Sequence, residues 1–129
     1  MIEPISGSIE TSGARLLDAA FDVHRKLGPG LLESVYESCL CYELEKLQIP
    51  YQRQVSLPIR YDEMLIDGGL RLDVVVNTEV IAEIKAVEKV LPVHEAQLLT
   101  YLKLTGMRLG FLINFNVPLL KQGIKRIVL

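Results

Sequence analysis

An α/β fold with a mixed central sheet is predicted by three features of the 129-residue sequence. Apolar residues recur at spacings of three and four in two segments before Pro50 and again between Val93 and Thr105, the signature of helices with one buried face. Between these segments, and after the third, the period falls to two and Val and Ile dominate, which marks strands. A helix lying between two strands requires a crossover connection, so at least one pair of neighbours is parallel in an otherwise hairpin-built sheet. The length fits a single domain over residues 1–129.

The first helix starts near Ser8 or Ser12, either of which can cap it. Its stripe is Leu16, Leu17, Ala20, Phe21, Val23 and Leu27, and Gly28-Pro29 stops it. A second helix runs from about Leu31 to Leu47 through Leu32, Val35, Tyr36, Cys39, Leu40 and Leu44. Val55, Leu57, Ile59 and Tyr61 then alternate with polar neighbours as a strand, with Pro58 pointing to an edge position or a bulge. Asp67-Gly68-Gly69 reads as a turn. Leu70–Val76 and Val80–Ala86 form the two strongest strands, joined by Asn77-Thr78-Glu79. A helix from about Val93 to Thr105 ends at Gly106, and Arg108–Phe115 and Ile124–Leu129 are the last strands.

Composition excludes some functions. Half the residues are apolar, too many for a disordered tail. The formal charge of −2 argues against coating nucleic acid by bulk electrostatics. The charge is uneven, however. All sixteen acids lie in residues 1–95, whereas residues 96–129 hold Lys103, Arg108, Lys121, Lys125 and Arg126 and no acid. Such an asymmetry suggests a surface for a polyanion. Cys39 and Cys41 have no zinc-site spacing and point to different sides of a helix, so they read as reduced thiols of a cytoplasmic protein. The first residues, Met1 to Glu10, are mixed and polar and read as no signal peptide. The longest uncharged run, Leu109–Leu120, is too short to span a bilayer, so no membrane partner is expected.

The central hairpin brings carboxylates together. Apolar alternation puts Leu72, Val74 and Val76 on one face, and Arg71, Asp73 and Val75 on the other. Matching the apolar faces of the two strands requires a loop of odd length. Three residues pair Val76 with Val80, set Asp73 opposite Glu83 and set Arg71 opposite Lys85. Opposed carboxylates repel and need a proton, a cation or a neighbouring Lys. One arrangement is a surface ladder of Arg71, Asp73, Glu83 and Lys85. The other is a hard divalent ion held by carboxylate oxygen, the ligand Mg²⁺ and Mn²⁺ prefer.

Asp73, nine intervening residues and then Glu83-Ile84-Lys85 resemble the Asp…(Asp/Glu)-x-Lys signature of the PD-(D/E)XK nuclease superfamily. Gln97-x-x-x-Tyr101 resembles the Gln-x-x-x-Tyr motif of its RecB-like branch. Gly30-x-x-Glu33-x-x-Tyr36 is similar to the signature of the GxxExxY protein family, which the segments 23–36, 82–106 and 109–129 also resemble. The resemblance implies a restriction-endonuclease-like αβββαβ core with an extra N-terminal helix and a short C-terminal strand. It implies a metal-dependent nuclease acting on DNA with Mg or Mn. Asp73, Glu83 and the Ile84 carbonyl would hold the metal, with Glu33 facing it directly or through water. Lys85 would assist the attacking water and Gln97 would orient groups at the site. On the substrate side stand Tyr101, Lys103 and His94, the last with helix capping as its alternative. Tyr36 is grouped with them, although packing or a hydrogen bond to the site is favoured over chemistry, and His24 reads as a structural histidine. For Glu33 the alternative is stabilisation by its helix dipole.

No zinc finger, helix-turn-helix or RNA-binding aromatic motif is present. The chain therefore reads as a bare catalytic core that works with a partner protein, as a homodimer, or on DNA structure rather than sequence. The alternative reading is a non-catalytic nucleic-acid-binding or protein-interaction module on the nuclease fold. A two-carboxylate glycosidase fits poorly with Lys85 and the lack of any Trp.

Overall fold

A computed structural model describes residues 3–129; Met1 and Ile2, the start of the segment read as lacking a leader, lie outside them. The elements are α1 (Gly7–Leu27), α2 (Glu33–Lys46), β1 (Tyr51–Tyr61), β2 (Met64–Val76), β3 (Val80–Lys85), α3 (Pro92–Thr105), β4 (Leu109–Asn114), a short 3-10 helix (Leu120–Gly123) and β5 (Ile124–Val128). The strands form one five-stranded sheet in the order β1-β2-β3-β4-β5. All neighbours are antiparallel except β3 and β4, which α3 joins as a parallel pair. The α/β class and mixed sheet follow the sequence pattern.

Each face of the sheet carries its own core. On one, α1 and α2 pack Leu16, Ala20, Leu40 and Leu44 against Val74, Val76, Ala82, Ile84, Phe111 and Ile113. On the other, Leu98 and Leu102 of α3 pack against Leu70, Leu72, Val75, Ile81 and Leu112. The helices sit close because small residues stand at the crossings. A Cβ on Gly110 would lie 2.9 Å from Leu98 Cδ1, and one on Gly13 would lie 3.0 Å from Leu109 Cδ2. α3 begins with Pro92 in its first turn and ends at Gly106, whose φ of 78° suits glycine.

Three sequence expectations are corrected. The cap of α1 is Ser6, whose hydroxyl accepts from Ile9 N at 3.3 Å. Ser8 and Ser12 instead donate to the Glu79 carboxylate at 2.9 and 2.8 Å. Asp67-Gly68-Gly69 is not the hairpin turn. The chain reverses at Asp62-Glu63, where Tyr61 pairs with Met64, and β2 runs straight through the glycines. There Leu57 pairs with Leu70 and Ile59 with Ile66, so Pro58 faces the Asp-Gly-Gly segment in a bulge. Pro58 thus occupies both positions it tolerates, because β1 is also the sheet edge.

The third correction concerns β2. Its even-numbered residues do not share one face: Leu70 and Leu72 lie in the α3-side core, Val74 and Val76 in the α1/α2-side core. The strand inverts its phase at Asp73. β1 inverts with it, since Tyr51 packs on the α1/α2 side and Val55, Leu57 and Ile59 on the α3 side. The inversion leaves the register untouched, with Arg53 against Val74 and Val55 against Leu72. One residue in each strand, Gln54 and Asp73, absorbs it. Gln54 carries the left-handed φ of 52° that makes this turn of the strand.

Candidate functional site

The three-residue loop holds as expected: Val76 pairs with Val80, Val75 with Ile81 and Val74 with Ala82. The ladder stops there. At the phase inversion the Asp73 side chain turns along the sheet toward β3, and its Oδ2 accepts the Ile84 amide at 2.8 Å. A carboxylate thus takes the place of the β2 backbone as partner of β3. The strands part at this point, and Asp73 and Glu83 meet in the opening.

Glu83 is 4% exposed and its Oε1 has no hydrogen-bond partner among the described residues. Burial pushes its carboxyl up to about 9, and the neighbouring Asp73, close enough to share a proton with it, pushes the same way. The Lys85 charge and the Asp73 backbone amide pull weakly in the opposite direction. A buried carboxyl oxygen without a donor is costly. It must carry a proton or meet a cation.

Lys85 is half-buried at the end of β3. Among the described residues it forms no ion pair, and neither does Arg71. The charged ladder of Arg71, Asp73, Glu83 and Lys85 is therefore not formed. The pairing of Arg71 with Lys85 is also lost, because the strands have separated two residues earlier.

Glu33 is exposed in the first turn of α2. Partial burial raises its pKa; the charges of Lys85 and His94 lower it, and those of Asp73 and Glu37 add to the rise. Glu33 therefore stands within electrostatic reach of the carboxylate pair. Among the described residues no three His, Cys, Asp or Glu side chains converge as a ready metal cage.

α3 lines the site from its own face of the sheet. Tyr101 is half-buried, and burial followed by the charges of Glu83 and Asp73 raises its hydroxyl pKa, with Arg71 opposing. Gln97, one turn earlier on the same face, is exposed and makes no side-chain hydrogen bond among the described residues. His94 caps its own helix: its Nδ1 accepts from Leu91 N at 3.0 Å.

Of the substrate-side residues, Tyr36 takes its packing role. Tyr36 is wholly buried, stacked on Phe115 at 4.6 Å between ring centroids. Its hydroxyl donates to Gly28 O at 2.6 Å and accepts from Leu31 N at 3.1 Å. Tyr36 thus fixes the loop leading to Glu33 and does not face a substrate. Lys103 lies two residues after Tyr101, about 200° around the helix, on the exposed side of α3's last turn. Two basic residues of the C-terminal third find partners elsewhere. Arg126 binds Glu10 through both guanidinium nitrogens at 2.8 and 3.0 Å. Arg108 donates to the carbonyls of Leu129 and Glu3.

Asn114 went unread in the sequence. Buried at the end of β4, it accepts from Val87 N at 3.1 Å and donates to Val87 O at 2.9 Å, fixing the chain just after Lys85. An Asn closing an otherwise apolar run was the available signal. His24 is structural as expected, its Nε2 donating to Val117 O at 2.8 Å. The described cysteines are free, and burial lifts the Cys41 thiol to about 11.

Two carboxylates and a lysine thus meet where β2 leaves β3, with a Gln-x-x-x-Tyr helix beside them. Residues 10–127 match the PD-(D/E)XK nuclease superfamily. The chain belongs to that superfamily. Its five-stranded mixed sheet flanked by helices is the restriction-endonuclease-like fold that membership implies. No curated protein and no solved structure matches the chain. No helix among the described residues is long and apolar enough to cross a membrane.

Proposed function

We propose that this member of the superfamily is a metal-dependent nuclease hydrolysing phosphodiester bonds of DNA, with Asp73 and Glu83 holding Mg or Mn. The supporting observation is Glu83 Oε1, buried and without a donor beside the Asp73 carboxylate. Paired carboxylate oxygens in a desolvated opening suit a hard divalent ion. The Ile84 carbonyl is the third protein ligand in this reading, and Glu33 acts through water. When bound, the ion polarises the phosphodiester and lowers the pKa of a water nucleophile.

Lys85, in no ion pair among the described residues, stabilises the negative charge that grows at the phosphate and orients the water. Gln97 holds the water or a phosphate oxygen through its unused amide. Tyr101 borders the scissile strand, and Arg71 contacts a phosphate next to it. The Gly30-Glu33-Tyr36 and Gln97-Tyr101 spacings support placing the chain in the GxxExxY group on the RecB-like branch. Sequence specificity comes from a second copy or a partner protein.

Calorimetric titration of Mn²⁺ into the protein tests this reading, alongside cleavage of single- and double-stranded DNA. The expected result is saturable binding that Asp73→Ala abolishes, with cleavage lost in parallel. Absence of divalent binding in the parent protein, or equal binding in Asp73→Ala, overturns it.

A further inference from the structure

A hydrogen-bond network centred on the buried Glu37 of α2 reaches β1 at the phase inversion opposite Asp73. Glu37 is 8% exposed. Its Oε2 accepts from Arg53 Nε and Nη2 at 3.2 and 3.0 Å, and its Oε1 accepts from Gln54 Nε2 at 2.7 Å. Arg53 Nη2 also reaches Ser38 Oγ at 3.0 Å. One helical carboxylate thus holds two successive residues of β1. The second of them, Gln54, has the left-handed φ of 52° and stands level with Asp73 in the β1–β2 register.

An L-residue in this conformation is unfavourable by itself, and glutamine has no local side-chain reason to adopt it, unlike Asn or Asp. Something outside the strand must hold it there. The Glu37–Gln54 bond is that restraint, strengthened because its acceptor is charged and buried. Without the inversion, Asp73 would follow strict alternation and point to one face of the sheet. With it, the carboxylate lies along the sheet, bonds Ile84 N and meets Glu83.

We propose that Glu37, acting through Gln54, is a positioning residue that holds β1 and β2 in the inverted phase and so aims Asp73 at Glu83. The metal-binding part of this proposal rests on the nuclease reading above; the geometric part does not.

The test compares Gln54→Ala with Gln54→Gly. Both remove the side-chain anchor from an exposed position and leave the Glu37–Arg53 pair in place, so both are expected to fold. Only glycine accepts the left-handed backbone without the anchor. Amide hydrogen exchange at Ile84 reads the Asp73 contact with no metal present. In Gln54→Ala the Ile84 amide is expected to exchange about tenfold faster, the scale set by one unsupported left-handed residue. In Gln54→Gly it stays within about twofold of the parent, because glycine carries a far smaller penalty there. Mn²⁺ affinity measured well below the melting temperature follows the same order. Unchanged Ile84 exchange in both variants, or equal acceleration in both, overturns the proposal. A parent protein that binds no Mn²⁺ but shows the Ala–Gly difference at Ile84 defeats the nuclease reading and leaves the positioning role standing.

Discussion

The β2–β3 pair differs sharply between its two ends. At the turn, Asn77 Nδ2 donates to Ser12 Oγ, and Ser12 and Ser8 donate to the two oxygens of Glu79. The ladder there is regular, and the polar side chains around Ser12 have partners. A few residues on, the same strands part around Asp73 and Glu83, and a buried carboxyl oxygen is left without a donor. The turn end is built for stability. The open end keeps its carboxylates together at a cost in stability, a placement that the proposed cation site would require.

The largest expected effect comes from breaking the open end. Asp73→Asn keeps the shape, and the new amide can donate to Glu83 while its oxygen still accepts from Ile84. DNA cleavage should fall by about 10³-fold, as when a transition-state charge loses its stabiliser, and Mn²⁺ binding should vanish. The metal-free melting temperature should hold or rise. A variant that melts much lower, or that still cleaves, would contradict the contrast between the two ends.

Next in size is the pH dependence of the metal-free protein. The folded-state pKa of Glu83 is raised from the usual 4.5 to about 9. Between those values the folded state holds a proton that the unfolded state has released, so stability falls as pH rises through this window. Glu33 is shifted in the same direction. Glu10 and Glu43 are lowered by Arg126 and Lys26; their contribution is present above their unfolded pKa and fades only as pH falls below it, outside the window. Melting temperature should therefore decline from pH 5 to pH 9. Glu83→Gln should flatten the decline, and Mn²⁺ should bind more tightly as pH rises because it displaces the proton. A flat profile in the parent would show that Glu83 does not hold that proton.

Why these ends differ was only partly legible in the sequence. Apolar spacings of three and four, then of two, located the elements, and the parity of the apolar face was enough to choose the three-residue loop and the Val76–Val80 pair. The same parity rule failed at Asp73. Alternation assumes an unbroken strand, and the inversion depends on Gln54, a residue with no turn propensity that is held by Glu37 from another element. The Asp-Gly-Gly turn failed for a related reason: glycine marks unusual backbone, and here the unusual backbone is a bulge facing Pro58. Charge counting could not show that Arg126 and Arg108 find partners on the N-terminal segment, contacts more than 100 residues apart in the chain. Tyr36 and His94 were read at the right end of the molecule, but their hydrogen bonds go to the local backbone.

The turn end should respond to substitution in stability alone. Ser12→Ala deprives Asn77 and Glu79 of one partner each, at a cost of about 1–2 kcal/mol for hydrogen bonds in a part-buried setting. Denaturant melts should show that loss, while Mn²⁺ affinity and cleavage stay at parental values. A drop in metal affinity would mean that the two ends are coupled along the strands.

The smallest expected effects separate the open end from the basic tail. Arg71 is exposed, in no ion pair among the described residues and near enough to influence Tyr101, whereas Lys103 lies on the other side of α3. Each added phosphate contact steepens the salt dependence of binding by a slope of about one. Arg71→Ala should therefore weaken binding of a DNA oligonucleotide to the non-cleaving Asp73→Asn protein and reduce that slope by about one. Lys103→Ala should change neither. Equal losses from the two substitutions would place the nucleic-acid path along α3 and the C-terminal strand, and would return to the tail the role that its charge suggests.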